Sequence, residues 1–285
     1  MARLHDLRDG VALITGAASG IGAALADNLA RRGAHLALVD IDAARLEAVA
    51  ARTRAHGVRV SAHRLDVADA VGVAALPEAV LAAHGRLSVL INNAGVGVGG
   101  TFEQVDAADF DWLMSINFFG TVRMTRAFLP ILAREPIARL VNVSSIVGII
   151  APPGQTAYCA SKFAVRGFSE SLRHELEAAG SPVGVTVVHP GGVRTRIAEQ
   201  ARVPKGAPPE EVARQQAVWR RLLTLAPEDA AERIVAAIER GEPRVLVGRD
   251  AQQAAWLERL FPVRYWSLMA RGLARRIGDP RAPAA

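Results

Sequence analysis

The chain is poor in several residue types, and each scarcity excludes something. It has one cysteine, Cys159, so there is no internal disulfide framework and a reducing, cytoplasmic setting is expected. No run approaches the ~18 apolar residues of a membrane span. The opening MARLHDLRDG has no apolar core segment and does not read as a secretory signal. Aromatic residues are 5% of the 285, so the core must be built from Ala, Val, Leu and Ile. The seven histidines show no metal-ligand spacing, and no metal is expected. The net charge is +6, but the basic residues are spread along the chain without aromatic interleaving, which argues against nucleic acid. At 51% hydrophobic and 22% charged, the chain has ample apolar residues for a folded core.

Two further scarcities point inward. Of 34 basic residues only Lys162 and Lys205 are lysines, and Tyr158 and Tyr265 are the two tyrosines. Arginine serves wherever a generic positive charge is wanted. A retained lysine suggests a place where a wide, permanently charged fork does not fit.

Short apolar runs alternate with helical patterns over most of the chain. Strands are expected at Val11–Ile14, Leu36–Val39, Val58–Leu65, Leu87–Ile91, Leu140–Val143, Val183–Val188 and Val245–Val247. Strands apolar on both faces, alternating with helices, predict an α/β doubly wound (Rossmann) fold around a mostly seven-stranded parallel sheet. This domain is expected to cover residues 1–249. The proline-bearing segment 196–226 reads as a substrate-binding lid, and 250–285 as a helical C-terminal extension.

Between the first strand and first helix lies Thr15-Gly16-Ala17-Ala18-Ser19-Gly20-Ile21-Gly22. Glycines allow a tight turn and close approach to a pyrophosphate, and the helix start supplies free N–H groups. Asp40 ends the second strand, 18 residues after Gly22. A carboxylate there can bind both adenosine ribose hydroxyls and repel a 2′-phosphate, which favours NAD over NADP. The structural alternative is a helix cap, a role that Asp42 could also fill.

Tyr158 and Lys162 stand at i and i+4, on one face of a helix. A free tyrosine is a poor base near neutrality, and a cation one turn away favours its phenolate. Such a pair can serve a carbonyl/alcohol couple as acid and base.

These motifs together resemble the short-chain dehydrogenase/reductase family. The matched pieces are Thr15-Gly16-x-x-x-Gly20-Ile21-Gly22, Asp66, Asn92-Asn93-Ala94-Gly95, Asn117, Ser144-Ser145, Tyr158-x-x-x-Lys162 and Pro190-Gly191-Gly192-Val193-x-Thr195. The resemblance implies catalytic roles for Asn117, Ser145, Tyr158 and Lys162. Ser145, 13 residues before Tyr158, would hold the substrate oxygen. Lys162 would bind the nicotinamide ribose, and Asn117 would hold a water in a proton relay. The implied cofactor contacts begin with Gly16, Ser19, Gly20, Ile21, Gly22 and Asp40. Asp66 and the Val67 backbone would meet the adenine. Asn93, Gly95, Tyr158, Lys162, Pro190, Val193 and Thr195 would complete the cofactor site. Cys159 reads as a packing residue.

The substrate pocket is expected from Val96-Gly97, Ile149-Ile150, Pro152-Pro153 and, on the lid, Ile197, Val218, Trp219 and Leu222. These are apolar enough to imply a hydrophobic secondary alcohol or ketone. Alternatives are an NADP-dependent carbonyl reductase, a catalytically silent dinucleotide sensor, or a membrane-surface protein. In the extension, Trp256, Leu257, Leu260 and Phe261 precede Pro262. Val263, Trp266, Ala270, Leu273 and Ile277 follow at helical spacing. Arg259, Arg264, Arg271, Arg275 and Arg276 surround them. We expect two short helices parted by Pro262, packed on protein in a homodimer or homotetramer. Peripheral membrane contact through 256–277 is the alternative.

Overall fold

The computed structural model describes residues 6–277, apart from the side chains of 211, 214, 215, 271 and 273–277. Its strands are β1 (Val11–Thr15), β2 (His35–Asp40), β3 (Val60–Arg64), β4 (Val89–Asn92), β5 (Ala138–Val143), β6 (Val183–Pro190) and β7 (Arg244–Val247). Its helices are α1 (Gly20–Arg31), α2 (Ala43–Arg54), α3 (Ala70–His84), α4 (Ala107–Met114), α5 (Thr121–Leu132), α6 (Thr156–Ala178), α7 (Pro209–Leu222), α8 (Pro227–Arg240), α9 (Arg249–Leu260) and α10 (Tyr265–Ile277).

Every residue of β1 is buried, because both sheet faces are covered. Alternation along the strands divides the core in two. Val11 and Leu13 join Ala37 and Val39 against α3 and α5. Ala12 and Ile14 join Leu36 and Leu38 against α1, α2 and α8. All pairings are parallel, in the order β3-β2-β1-β4-β5-β6-β7. This is the doubly wound sheet that the apolar runs predict. The chain leaves β1 toward one edge through β2 and β3, then returns to build the other half from β4. That reversal opens a crevice at the carboxyl ends of β1 and β4. The strand-end motifs gather around it.

Two local features depart from the periodicity. The pattern from Trp112 to Leu132 reads as one helix. The structure has α4 and α5 joined by a π-helical turn, Ser115–Gly120, which carries Asn117. Such a wide turn displaces side chains from the 3.6-residue register. The segment 196–226 contains α7, and its start is pinned to the loop after β4. The Arg202 N–H donates to the Gly97 carbonyl at 3.0 Å, and the Gly99 N–H donates back to the Arg202 carbonyl at 3.0 Å. The Arg202 guanidinium lies 3.5 Å from the Trp112 ring centroid and 2.6 Å from Asp109 Oδ1.

Pro262 lies between α9 and α10. Ala251 and Ala254 are buried on the inner side of α9. The Ala151 N–H donates to the Tyr265 hydroxyl oxygen at 2.8 Å. The predicted contributions of Arg271, Leu273, Arg275, Arg276 and Ile277 lie outside the described side chains.

Candidate active site

The glycine loop is shaped by contacts that leave no room for side chains. Gly16 and Gly20 have φ of +67° and +53°. A Cβ on Gly22 would stand 2.0 Å from the Gly16 carbonyl oxygen, a backbone atom that has little freedom to yield. Asn93 holds the loop from the end of β4. Its Nδ2 donates to the Thr15 and Gly16 carbonyls at 3.0 and 3.2 Å. Thr15 Oγ1 in turn accepts from the Asn93 and Ala94 N–H groups at 2.9 and 3.0 Å. Ser19 precedes α1 without a side-chain cap, so the helix start keeps free N–H groups for an anion.

Asp40 is tied to this loop. Its carboxylate accepts from the Ala18 and Asp42 N–H groups at 2.9 and 3.0 Å. The helix cap is Asp42, which accepts from the Arg45 N–H, so Asp40 is not needed there. Register pairs Asp40 with Arg64 on β3, a cation that linear spacing did not place beside it. Asp66 accepts from the Ala68 N–H at 2.8 Å and orders the turn around buried Val67.

The other half of the crevice is built on α6. Ser161, Val165 and Ser169 recur every four residues and form its buried face. Asn117 Nδ2 donates to Ser161 Oγ at 3.2 Å, and Asn142 Nδ2 donates to Ser169 Oγ at 2.8 Å. Ser144 Oγ donates to the Lys162 carbonyl at 2.8 Å. Ser144 is therefore occupied by structure, while Ser145 faces Tyr158. Lys162 is 3% exposed, and its ammonium donates to the Val143 carbonyl at 3.1 Å. A Cβ on Gly95 would lie 3.3 Å from Asn117 Oδ1 and 3.5 Å from Lys162 Nζ, so this glycine keeps the space between them open.

Burial dominates the electrostatics. It pushes the Tyr158 hydroxyl up to about 12, against a hydrogen bond with Ser145 that lowers it. Burial also brings the Lys162 ammonium down to about 8. The sequence expectation of a tyrosine lowered by its lysine is thus not met in the protein alone. Lys162 Nζ lies 5.7 Å from the tyrosine ring centroid, and desolvation outweighs it. The Cys159 thiol is pushed up to about 11, also by burial, and sits as an inert packing group.

Asn117 is placed beside the lysine, but its side-chain amide is occupied. Oδ1 accepts from the Val96 N–H at 2.8 Å, and Nδ2 donates to the Val96 carbonyl at 3.0 Å as well as to Ser161. It clamps the loop after β4 onto α6. Trp219 is placed differently from the expectation. It lines a cavity of about 840 Å³ with Gly20, Thr195 and Arg194, residues outside the expected substrate pocket.

Two supporting residues escaped the sequence reading. His189 is fully buried, and its Nδ1–H donates to the Ser145 carbonyl at 3.0 Å. Burial brings its imidazole down to about 4, so it stays neutral near pH 7. Asp250 accepts from the Gly192 N–H at 2.6 Å. A Cβ on Gly191 would stand 2.3 Å from the same carboxylate, and one on Gly192 would stand 2.1 Å from the Leu222 carbonyl oxygen. Asp250 lies 58 residues from Gly192, and only the pairing of β6 with β7 brings it near.

A crevice at the β1–β4 switch point, beside Ser145, Tyr158 and a buried Lys162, suits a nucleotide-dependent oxidoreductase. Residues 10–205 match the family model described as short chain dehydrogenase. The chain belongs to the short-chain dehydrogenase/reductase family. It is 42% identical over 265 residues to the putative oxidoreductase SadH of Mycobacterium tuberculosis, covering 93% of this chain and 95% of that protein. It is also similar to a short chain dehydrogenase/reductase from Burkholderia phymatum in complex with NAD. There the TM-score is 0.81 and the identity 31%, over 99% of this chain and 100% of that one. A metagenomic short-chain oxidoreductase in complex with NADP has a TM-score of 0.69 and 32% identity, over 85% and 98%.

The Asp250 contact yields an expected outcome. In Asp250→Ala the Gly192 N–H loses a charged acceptor, a bond worth about 1.5–3 kcal/mol where it is made. The site is exposed, so the lower end applies. Binding of the reduced nicotinamide dinucleotide, followed by fluorescence titration, should weaken about tenfold. An unchanged affinity would show that this loop does not depend on Asp250.

Proposed function

We propose that the protein is an NAD-dependent oxidoreductase that interconverts hydrophobic secondary alcohols and ketones, with Tyr158 as acid and base. The observation that carries this reading is the convergence of Ser145, Tyr158 and a buried Lys162 at the crevice. Support for the substrate class comes from the surroundings of Tyr158. Its ring packs with Val96, Val98, Leu113 and Ala157. Ile149 and Ile150 lie in a neighbouring apolar cluster with Tyr265 and Met269.

NAD, when bound, supplies the hydride acceptor or, reduced, the hydride donor. The glycine loop and the free N–H groups of α1 suit its pyrophosphate. Lys162, in the space that Gly95 leaves open, suits a ribose hydroxyl. The Val193 backbone and Thr195 are assigned to the carboxamide end. Ser145 holds the substrate oxygen by hydrogen bond. The Tyr158 hydroxyl gives its proton to that oxygen in reduction and recovers it in oxidation. Lys162 supports the phenolate that forms. Arginine would not substitute, because its fork cannot occupy the confined place of an ammonium bonded to the Val143 carbonyl. The water relay assigned to Asn117 has to use atoms other than its side-chain amide. Self-association fits the exposed aromatic rings Phe119 and Phe163, in the π-helical turn before α5 and on α6.

The first test is a screen of secondary alcohols with NAD, followed by the rise of NADH absorbance. With an active alcohol in hand, Tyr158→Phe should lower kcat about 10²–10⁴-fold while NADH affinity stays near the parent value, because only the transferable proton is removed. Turnover within a few-fold of the parent would refute the role of Tyr158.

Asp40 yields the second expectation. Its carboxylate repels a 2′-phosphate, so kcat/KM should favour NAD over NADP by at least about tenfold. Arg64 pairs with it in register across β2 and β3, so Asp40→Ala alone should bring the two cofactors within a few-fold. A parent enzyme that prefers NADP would overturn this reading of the β2 terminus.

A further inference from the structure

The corner formed by α9 and α10 has two unlike sides. Its inner side is packed. Ala254 is buried with Ile149 and Ile150, and Ala255, Tyr265 and Met269 lie against them. Its outer side carries Trp256, Leu260, Phe261, Val263 and Leu268, which are 63%, 62%, 45%, 90% and 41% exposed. Five large apolar side chains so close along one corner form a surface that soluble proteins seldom leave uncovered.

Three arginines border this surface. Arg249, Arg259 and Arg264 are exposed. Among the described residues none of the three has a carboxylate within ion-pair distance. The Arg259 guanidinium lies 6.0 Å from the Trp256 ring centroid, joining the two halves of the surface. Two acids, Asp250 and Glu258, lie on the same helix. Asp250 holds Gly192, and the field of Glu258 acts on Arg244.

We propose that this face lies on an anionic lipid surface. A second copy is a poor occupant. A two-fold contact sets the same patch against itself and brings Arg259 and Arg264 of one copy toward those of the other. An anionic bilayer satisfies both components. Its interface accepts tryptophan and leucine side chains, and its phosphates attract the arginines. No helix among the described residues is long and apolar enough to cross a membrane, so the contact is peripheral. The packing on Ile149 and Ile150 places the loop beside Tyr158 next to that surface, where an apolar alcohol would partition. That consequence rests on the proposed function; the lipid contact does not.

The test is flotation of the full-length protein with vesicles of phosphatidylcholine, alone or mixed with phosphatidylglycerol, and light scattering of the protein without lipid. The protein should float with the anionic vesicles only, and high salt should release it. Arg259→Glu with Arg264→Glu should weaken partitioning roughly 30-fold or more, since each basic residue near such a surface contributes about a factor of five. Trp256→Ser with Leu260→Ser should also reduce flotation. Each variant should keep the parent melting temperature and subunit count. Failure of the parent to float with anionic vesicles would overturn the proposal. So would a fall in subunit count in either variant, which would mark the face as a contact between copies.

Discussion

An ammonium group withdrawn from water has to be held, and the carboxyl end of this sheet is organised around the one on Lys162. Desolvation alone works against its charge, and the Val143 carbonyl is the partner that faces it. The lysine backbone is fixed in turn, because Ser144 Oγ donates to its carbonyl. Gly148 makes that approach possible. A Cβ there would lie 2.3 Å from Ser144 Oγ and 2.7 Å from the Lys162 carbonyl oxygen. Asn117 and Asn142 fasten the same helix face through Ser161 and Ser169. A shift of α6 along β5 would break these bonds together. Position at the reacting atoms is thus set by buried polar contacts, which are costly to leave unmade.

The glycine loop follows the same logic on the other side of β1. Asn93 reaches across from β4 to two carbonyls of the loop, and Asp40 takes an N–H from it. The loop is rigid before any ligand arrives, which reduces the ordering that binding would otherwise require. The lid segment is latched more lightly, through Arg202 against Trp112 and Asp109 at the surface.

Much of this was legible in the chain. The apolar runs located the central strands, because strands covered on both faces leave continuous hydrophobic stretches; the edge strand β3, VSAHR, is only half-buried and was placed by its flanking Val58 and Leu65. The i, i+4 spacing placed Tyr158 and Lys162 on one helix face. The scarcity of lysine singled out Lys162, which the structure buries, yet the same argument fails for Lys205. That residue is exposed and pairs with Asp106 at 3.3 Å, where arginine would serve as well. What could not be read depends on distance in the chain. Asp250 and His189 act through neighbours, and Arg64 stands opposite Asp40, only because of strand order and register. The π-helical turn at Ser115–Gly120 was hidden because its residues keep an apolar pattern compatible with an uninterrupted helix. The upward shift of Tyr158 was hidden for another reason. Spacing shows a nearby cation, but it does not show how much water the fold removes.

That balance between burial and positive charge is the central claim, and it can be observed directly. The chain has two tyrosines, so [ζ-¹³C]tyrosine labelling gives two resonances, assigned with Tyr158→Phe. In the protein alone, Tyr158 should remain protonated through pH 10, since burial holds it up at about 12. With saturating NAD, whose nicotinamide would add a second positive charge beside Lys162 in the proposed function, its titration should move to lower pH. A Tyr158 that titrates at the same pH with and without NAD would contradict the account, as would one already ionised near neutrality in the free protein.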